Sequence, residues 1–204
     1  MARMNKNESI NNLCNRVERI FKASKDRLSN NIYRGHSRSI NADIEDSIAI
    51  FLSELFPTNY YFIIDPSIYV NGKNHRPDLL VINEFNEAIA MIEIKSNMGW
   101  CRDVTYIANN LMQSDSLFRK EAHLSCKLSN NNTKEVLYGC QVIKMLVSLT
   151  NENCSNKYHE NNKALLKHLG IDYYVLFSGW YNNLKHKDID DFANQLMLLA
   201  KDHR

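Results

Sequence analysis

With 204 residues, 44% of them hydrophobic and 24% charged, and a formal net charge of +2, the chain has the proportions of one soluble domain whose core needs neither disulfides nor a structural metal. Six Gly and three Pro exclude collagenous and low-complexity chains, and the apolar share excludes wholesale disorder. The charge is partitioned: residues 1–40 hold nine Lys/Arg against three Asp/Glu, a net of +6, while residues 41–204 carry a net of −4. A near-neutral total therefore leaves a nucleic-acid partner open.

The opening MARMNKNESINNL lacks the apolar stretch of a signal peptide, and no segment approaches the roughly 18 apolar residues of a membrane span. The expectation is a cytoplasmic protein with no membrane partner. Five cysteines, odd in number and without a CxxC pair, suit free thiols in a reducing compartment. Cys126, Cys140 and Cys154 lie fourteen residues apart, too widely spaced for the tight ligand pairs of structural zinc sites, even with His159 added.

In chain order, residues 9–28 place Ile10, Leu13, Val17, Ile20, Phe21 and Leu28 on one side of a helix, with Arg16, Arg19, Lys22 and Lys25 on the other. A second helix over 41–56 turns Ile44, Ile48, Phe51, Leu52 and Leu55 inward, has acids near its first turn, and is stopped by Pro57. Residues 60–70 are aromatic and β-branched, with Pro66 indicating an edge or bulge. Asn71 and Gly72 signal a turn, which residues 73–76 extend into a longer loop. Residues 78–83 and 88–96 form two buried strands around the loop 84–87. A helix over 103–123, a strand over 141–150, a helix over 157–169 ended by Gly170, a strand over 171–177 and a helix over 188–201 complete the chain. The order α, α, β, β, β, α, β, α, β, α predicts an α/β fold with a central mixed sheet flanked by helices.

Chemistry concentrates in Pro77, Asp78 and the apolar strand after them, followed by Glu93, Ile94 and Lys95. Strand side chains alternate, so Glu93 and Lys95 share a face while Ile92 and Ile94 point to the other. With a four-residue loop at 84–87, Asn83 pairs with Ala88, paired numbers sum to 171, and Asp78 falls opposite Glu93. Two carboxylates and an ammonium then converge among apolar neighbours, and a divalent cation relieves the repulsion between the acids. An oxygen-only donor set favours Mg²⁺, with Mn²⁺ as substitute, over zinc.

Pro77 and Asp78, a fourteen-residue gap, then Glu93, Ile94 and Lys95 resemble the signature of the PD-(D/E)XK nuclease superfamily, which includes many type II restriction endonucleases. The resemblance implies the restriction-endonuclease-like three-layer fold, whose core order of helix, three strands, helix and strand matches residues 41–150. It implies that Asp78, Glu93 and the Ile94 carbonyl ligate metal and that Lys95 is the catalytic lysine. It adds an acid from the preceding helix, for which Glu45 is the best match and Asp46 a second. The products it implies carry 5′-phosphate and 3′-hydroxyl ends.

The expectation is a single nuclease domain, with a basic helical arm over 1–40, a catalytic core over 41–150 and a C-terminal α/β extension over 151–204. Its activity would be Mg²⁺-dependent endonucleolytic hydrolysis of double-stranded DNA, of restriction or phage-defence type, by a homodimer. The alternatives are a structure-selective repair or recombination nuclease, and a non-catalytic binding module of the same fold. Lys73, His75 and Arg76 precede Asp78 closely enough to meet a phosphate brought there. Arg16, Arg19 and Lys22 form a stripe suited to backbone phosphates, extended by Arg34 and Arg38, with His36 as a polar loop residue. No residue is assigned to base reading.

Overall fold

The computed structural model describes residues 5–26, 40–56, 58–100, 104–121, 123–129, 132–152, 154–179 and 183–202. Helix α1 (Lys6–Asp26) buries Ile10, Leu13, Val17 and Phe21, a spacing of three and four that lines one face. Helix α2 (Asn41–Leu55) buries all five of its predicted apolar positions. Both helices belong to one core cluster with the sheet, so α1 is packed into the body rather than appended as an arm. Pro57, Arg34, His36 and Arg38 lie outside the described residues.

The predicted strand over 60–70 is two strands, β1 (Tyr61–Ile64) and β2 (Ser67–Val70), because the chain breaks at Asp65 and Pro66, where Asp65 takes a φ of 46°. Asn71 and Gly72, with φ of 51° and 76°, make a two-residue hairpin turn to β3 (Lys73–His75). Residues 73–75 therefore continue the sheet, where a longer loop was expected. Strands β4 (Leu79–Ile82) and β5 (Glu87–Asn97) follow as the predicted antiparallel hairpin. A short 3₁₀ turn (Met98–Trp100) leads toward helix α3 (Val104–Glu121).

Strand β6 (His123–Lys127) and the first half of β7 (Thr133–Thr150) are additions to the predicted elements. Their buried and exposed positions alternate along β6, the ordinary pattern of a half-covered strand. Helix α4 (Asn156–His168) is capped by the Ser155 hydroxyl, which accepts from the Tyr158 N–H at 3.4 Å, and is followed by Gly170 at a φ of 67°. Strands β8 (Ile171–Val175), β9 (Phe177–Ser178) and β10 (Lys185–His186) and helix α5 (Ile189–Asp202) close the fold.

The main sheet runs β1-β4-β5-β7-β6-β2-β3, with β8 parallel to the second half of β7. Helices α1, α2 and α5 cover one face and α3 and α4 the other, each over its own apolar cluster. Three layers result, as expected. In β4, Leu79 and Val81 enter the first cluster while Leu80 and Ile82 enter the second, which is why the strand is apolar throughout. No helix among the described residues is long and apolar enough to cross a membrane.

The sheet is strongly curled. Only Asp65 and Pro66 separate β1 at one edge from β2 near the other, a step of about 10 Å at full extension. Five flat strand spacings would require about 24 Å. Curling also places the Lys134 ammonium 3.5 Å over the Tyr61 ring. The short link from β3 to β4, residues 76–78, crosses the same gap, and the two crossings are tied by the Asp65 N–H donating to the Asp78 carbonyl at 2.8 Å.

Helix α3 is fixed to β7 through Asp115. Its buried carboxylate accepts from the Tyr138 hydroxyl at 2.9 Å, Arg119 Nε at 3.1 Å and Lys144 Nζ at 3.3 Å. Burial alone would raise this carboxyl, but these donors and charges outweigh it and hold it below the usual carboxylate range.

Candidate active site

The hairpin of β4 and β5 sets the geometry. Leu79 pairs with Ile92, Leu80 with Met91 and Val81 with Ala90, keeping the predicted sum of 171 at the Asp78 end. At the loop end Ile82, rather than Asn83, is the partner of Ala88, and a bulge opposite the step from Val81 to Ile82 absorbs the difference. Asp78 thus reaches the Glu93 end of β5, where its Oδ2 accepts from the Ile94 N–H at 2.6 Å.

Lys95 Nζ lies 2.6 Å from Glu93 Oε1, 3.1 Å from the Ile94 carbonyl oxygen and 3.5 Å from Asp78 Oδ2. One ammonium therefore occupies the point on which the three proposed metal-ligand oxygens converge. The surrounding potential is negative. Burial first, and then the Asp78 charge, push the Glu93 carboxyl upward. Burial would lower Lys95, but Glu93 and Asp78 outweigh it and the ammonium is held more tightly than usual.

Glu45 is half-buried on α2, and burial followed by the charges of Asp78 and Asp65 raises its carboxyl to about 7. The helix on the opposite layer thus brings its acid within electrostatic range of Asp78, whereas Asp46 is exposed.

These shifts make a test. Protonated Glu45 favours the folded state, so its contribution is complete below the ordinary value of 4.5 and is lost as pH rises through about 7. In EDTA the protein is expected to melt at a lower temperature at about pH 8 than at about pH 5, with Glu45→Gln flattening the slope. A slope unchanged by that substitution contradicts the placement of Glu45.

The residues present fit a hard divalent ion. Asp78, Glu93 and the Ile94 carbonyl offer oxygen only, in a negative pocket already centred on a cation. Among the described residues no three His, Cys, Asp or Glu side chains form a metal cage of their own. Mg²⁺ is usually held by one or two carboxylates together with water and substrate phosphate.

The remaining predicted residues divide. Arg76 donates through Nε to Asp65 Oδ1 at 3.0 Å and through a terminal nitrogen to Asp65 Oδ2, so its guanidinium is positioned beside the site by an acid that sequence reasoning missed. The signal for Asp65 was the proline after it, which marks the strand break. Lys73 is exposed. His75 is half-buried, with Nδ1 at 3.2 Å from Ser114 Oγ and its ring edge-on to Phe118 at 5.7 Å; burial and Lys73 hold its pKa down. It is anchored to α3 rather than presented freely to a phosphate.

Arg16 departs from the predicted basic stripe. It pairs with Glu54 at 2.8 Å in the seam between α1 and α2, with side-chain exposures of 22% and 14%, because α2 covers that flank of α1. Arg19 and Lys22 are exposed as expected.

This architecture is the restriction-endonuclease-like fold. Two solved structures share it: NucC of P. aeruginosa ATCC27853 and NucC of E. coli MS115-1, both in cAAA-bound form. The TM-scores are 0.56 and 0.57, each at 10% identity over 100% of this chain and 93% of that chain. At such identity the likeness establishes the fold. No family model and no curated protein matches the sequence.

Proposed function

We propose that the chain is a Mg²⁺-dependent endodeoxyribonuclease of restriction or phage-defence type, with Mn²⁺ able to substitute. The observation that carries this reading is the convergence of Asp78, Glu93, the Ile94 carbonyl and Lys95 within 3.5 Å at the end of a hairpin in a nuclease fold. The NucC structures support it, since NucC is a phage-defence nuclease of PD-(D/E)XK type.

Asp78, Glu93 and the Ile94 carbonyl would hold the ion, which when bound acts as a Lewis acid toward a phosphate oxygen and water. Lys95 stabilises the negative charge that builds on the phosphate during in-line attack, and its two carboxylate neighbours keep it protonated for that task. Glu45 adds a third acid within electrostatic range. Arg76, braced by Asp65, and Lys73 position the incoming strand. One such site per chain makes a homodimer the simplest means of cutting both strands of a duplex.

Plasmid DNA incubated with the purified protein and Mg²⁺, with and without cAAA, tests the proposal. Discrete fragments indicate a restriction enzyme and a smear a non-specific nuclease. Intact plasmid under every condition contradicts the activity.

A further inference from the structure

A cleft of about 330 Å³ opens beside Glu93, between the β3 side of the curled sheet and α3. Its size falls in the range of roughly 300–1,000 Å³ typical of small-ligand sites. Lys73 and Arg76 stand on one wall. The other wall is a stripe of α3, Tyr106, Asn110 and Gln113, whose spacing of four and three residues places all three on one helical face.

That stripe has no part in the core. Helix α3 packs inward through Val104, Ile107, Ala108, Leu111 and Phe118, whereas the Tyr106 side is 68% exposed. An exposed aromatic ring, two amides and two cations bordering a catalytic carboxylate match the parts of one nucleotide. The ring offers a base a stacking surface, the amides offer donors and acceptors to its edge, and the cations attract the adjoining phosphate.

We infer that this cleft holds the base and sugar of a single nucleotide, unstacked from its neighbours, next to the phosphate lying over Glu93. The inference rests on the nuclease reading for the identity of the strand and adds the form in which that strand enters. One nucleotide leaves the stack and packs on Tyr106. Stacking on Tyr106 takes the base out of a duplex stack, so the strand that enters is single or locally opened.

The test is binding of a short single-stranded DNA containing 2-aminopurine, titrated with the full-length protein in EDTA so that cleavage plays no part. The wild-type protein should quench the probe as it binds. Tyr106→Ala should weaken binding about tenfold, within the roughly 1–3 kcal/mol assigned to one stacked base, and abolish the quenching. Tyr106→Phe should restore both, because the ring rather than the hydroxyl does the stacking. Since Tyr106 is exposed, thermal melting of Tyr106→Ala should match wild type. Wild-type affinity and quenching in Tyr106→Ala, or no binding by the wild-type protein, overturns the inference. Tyr106-dependent quenching without any plasmid cleavage would keep the cleft and discard the nuclease reading; plasmid cleavage with Tyr106-independent quenching would do the reverse.

Discussion

Asp78→Asn should reduce cleavage by at least about 10²–10³-fold while leaving the fold and DNA binding in place. Asparagine is the informative replacement because its side-chain oxygen can still accept from the Ile94 N–H, which Asp78 Oδ2 now does at 2.6 Å. What it removes is the charge, and with it half of the carboxylate pair. Lys95→Ala should bring a comparable loss, because no other described ammonium or guanidinium lies within 4.0 Å of Asp78 or Glu93. It should also move the Glu93 carboxyl further upward, since Lys95 is the neighbour that opposes burial there. The measurement is the initial rate of plasmid nicking at saturating Mg²⁺, beside a circular-dichroism melt of each variant. Cleavage by Lys95→Ala at the wild-type rate would remove the lysine from the mechanism.

The largest stability effect should come from Phe51→Ala, at about 3–5 kcal/mol. Phe51 is 0% exposed, and its ring stacks on Phe192 with centroids 6.2 Å apart, so it joins α2 to α5 beneath the sheet. Removing it costs the transfer energy of the ring and leaves a cavity that two helices and a sheet cannot easily close. For a chain of this length the loss amounts to a fall in Tm of roughly 10 °C. A thermal melt decides it, and a shift of only a degree or two would mean that the cluster of α1, α2 and α5 is not the main core.

The same core explains how much could be read from sequence. The apolar positions of α2 were legible because a helix packed on a sheet shows a single stripe, and all five are buried. Arg16 was not, because α1 meets a second helix along its flank, and a position on the outer half of a helical wheel becomes internal when Glu54 closes over it. Helix periodicity gives a face but not the number of neighbours.

For the site, alternation and loop arithmetic placed Asp78 opposite the Glu93 end of β5 even though the turn was displaced by one residue. A bulge opposite the step from Val81 to Ile82 restored the register before the ladder reached the acids. The alternation of β6 is legible in the same way. Its strand, with Leu124 and Cys126 inward, follows the same period-two rule as the strands that were found. Tyr106, Asn110 and Gln113 were out of reach for a different reason. They border the site only because the sheet curls, so that the break at Asp65 and the link over residues 76–78 cross one gap. Curling of that kind is a long-range result of strand order, and no local pattern encodes it.

The central claim is that Asp78, Glu93 and the Ile94 carbonyl form a hard-cation site, and Mn²⁺ titration followed by electron paramagnetic resonance tests it most directly. The wild-type protein should bind Mn²⁺ in a form that Mg²⁺ displaces, and both Asp78→Asn and Glu93→Gln should lose that binding while melting as folded proteins. Equal Mn²⁺ binding by wild type and both variants, or none by the wild type, would contradict the account.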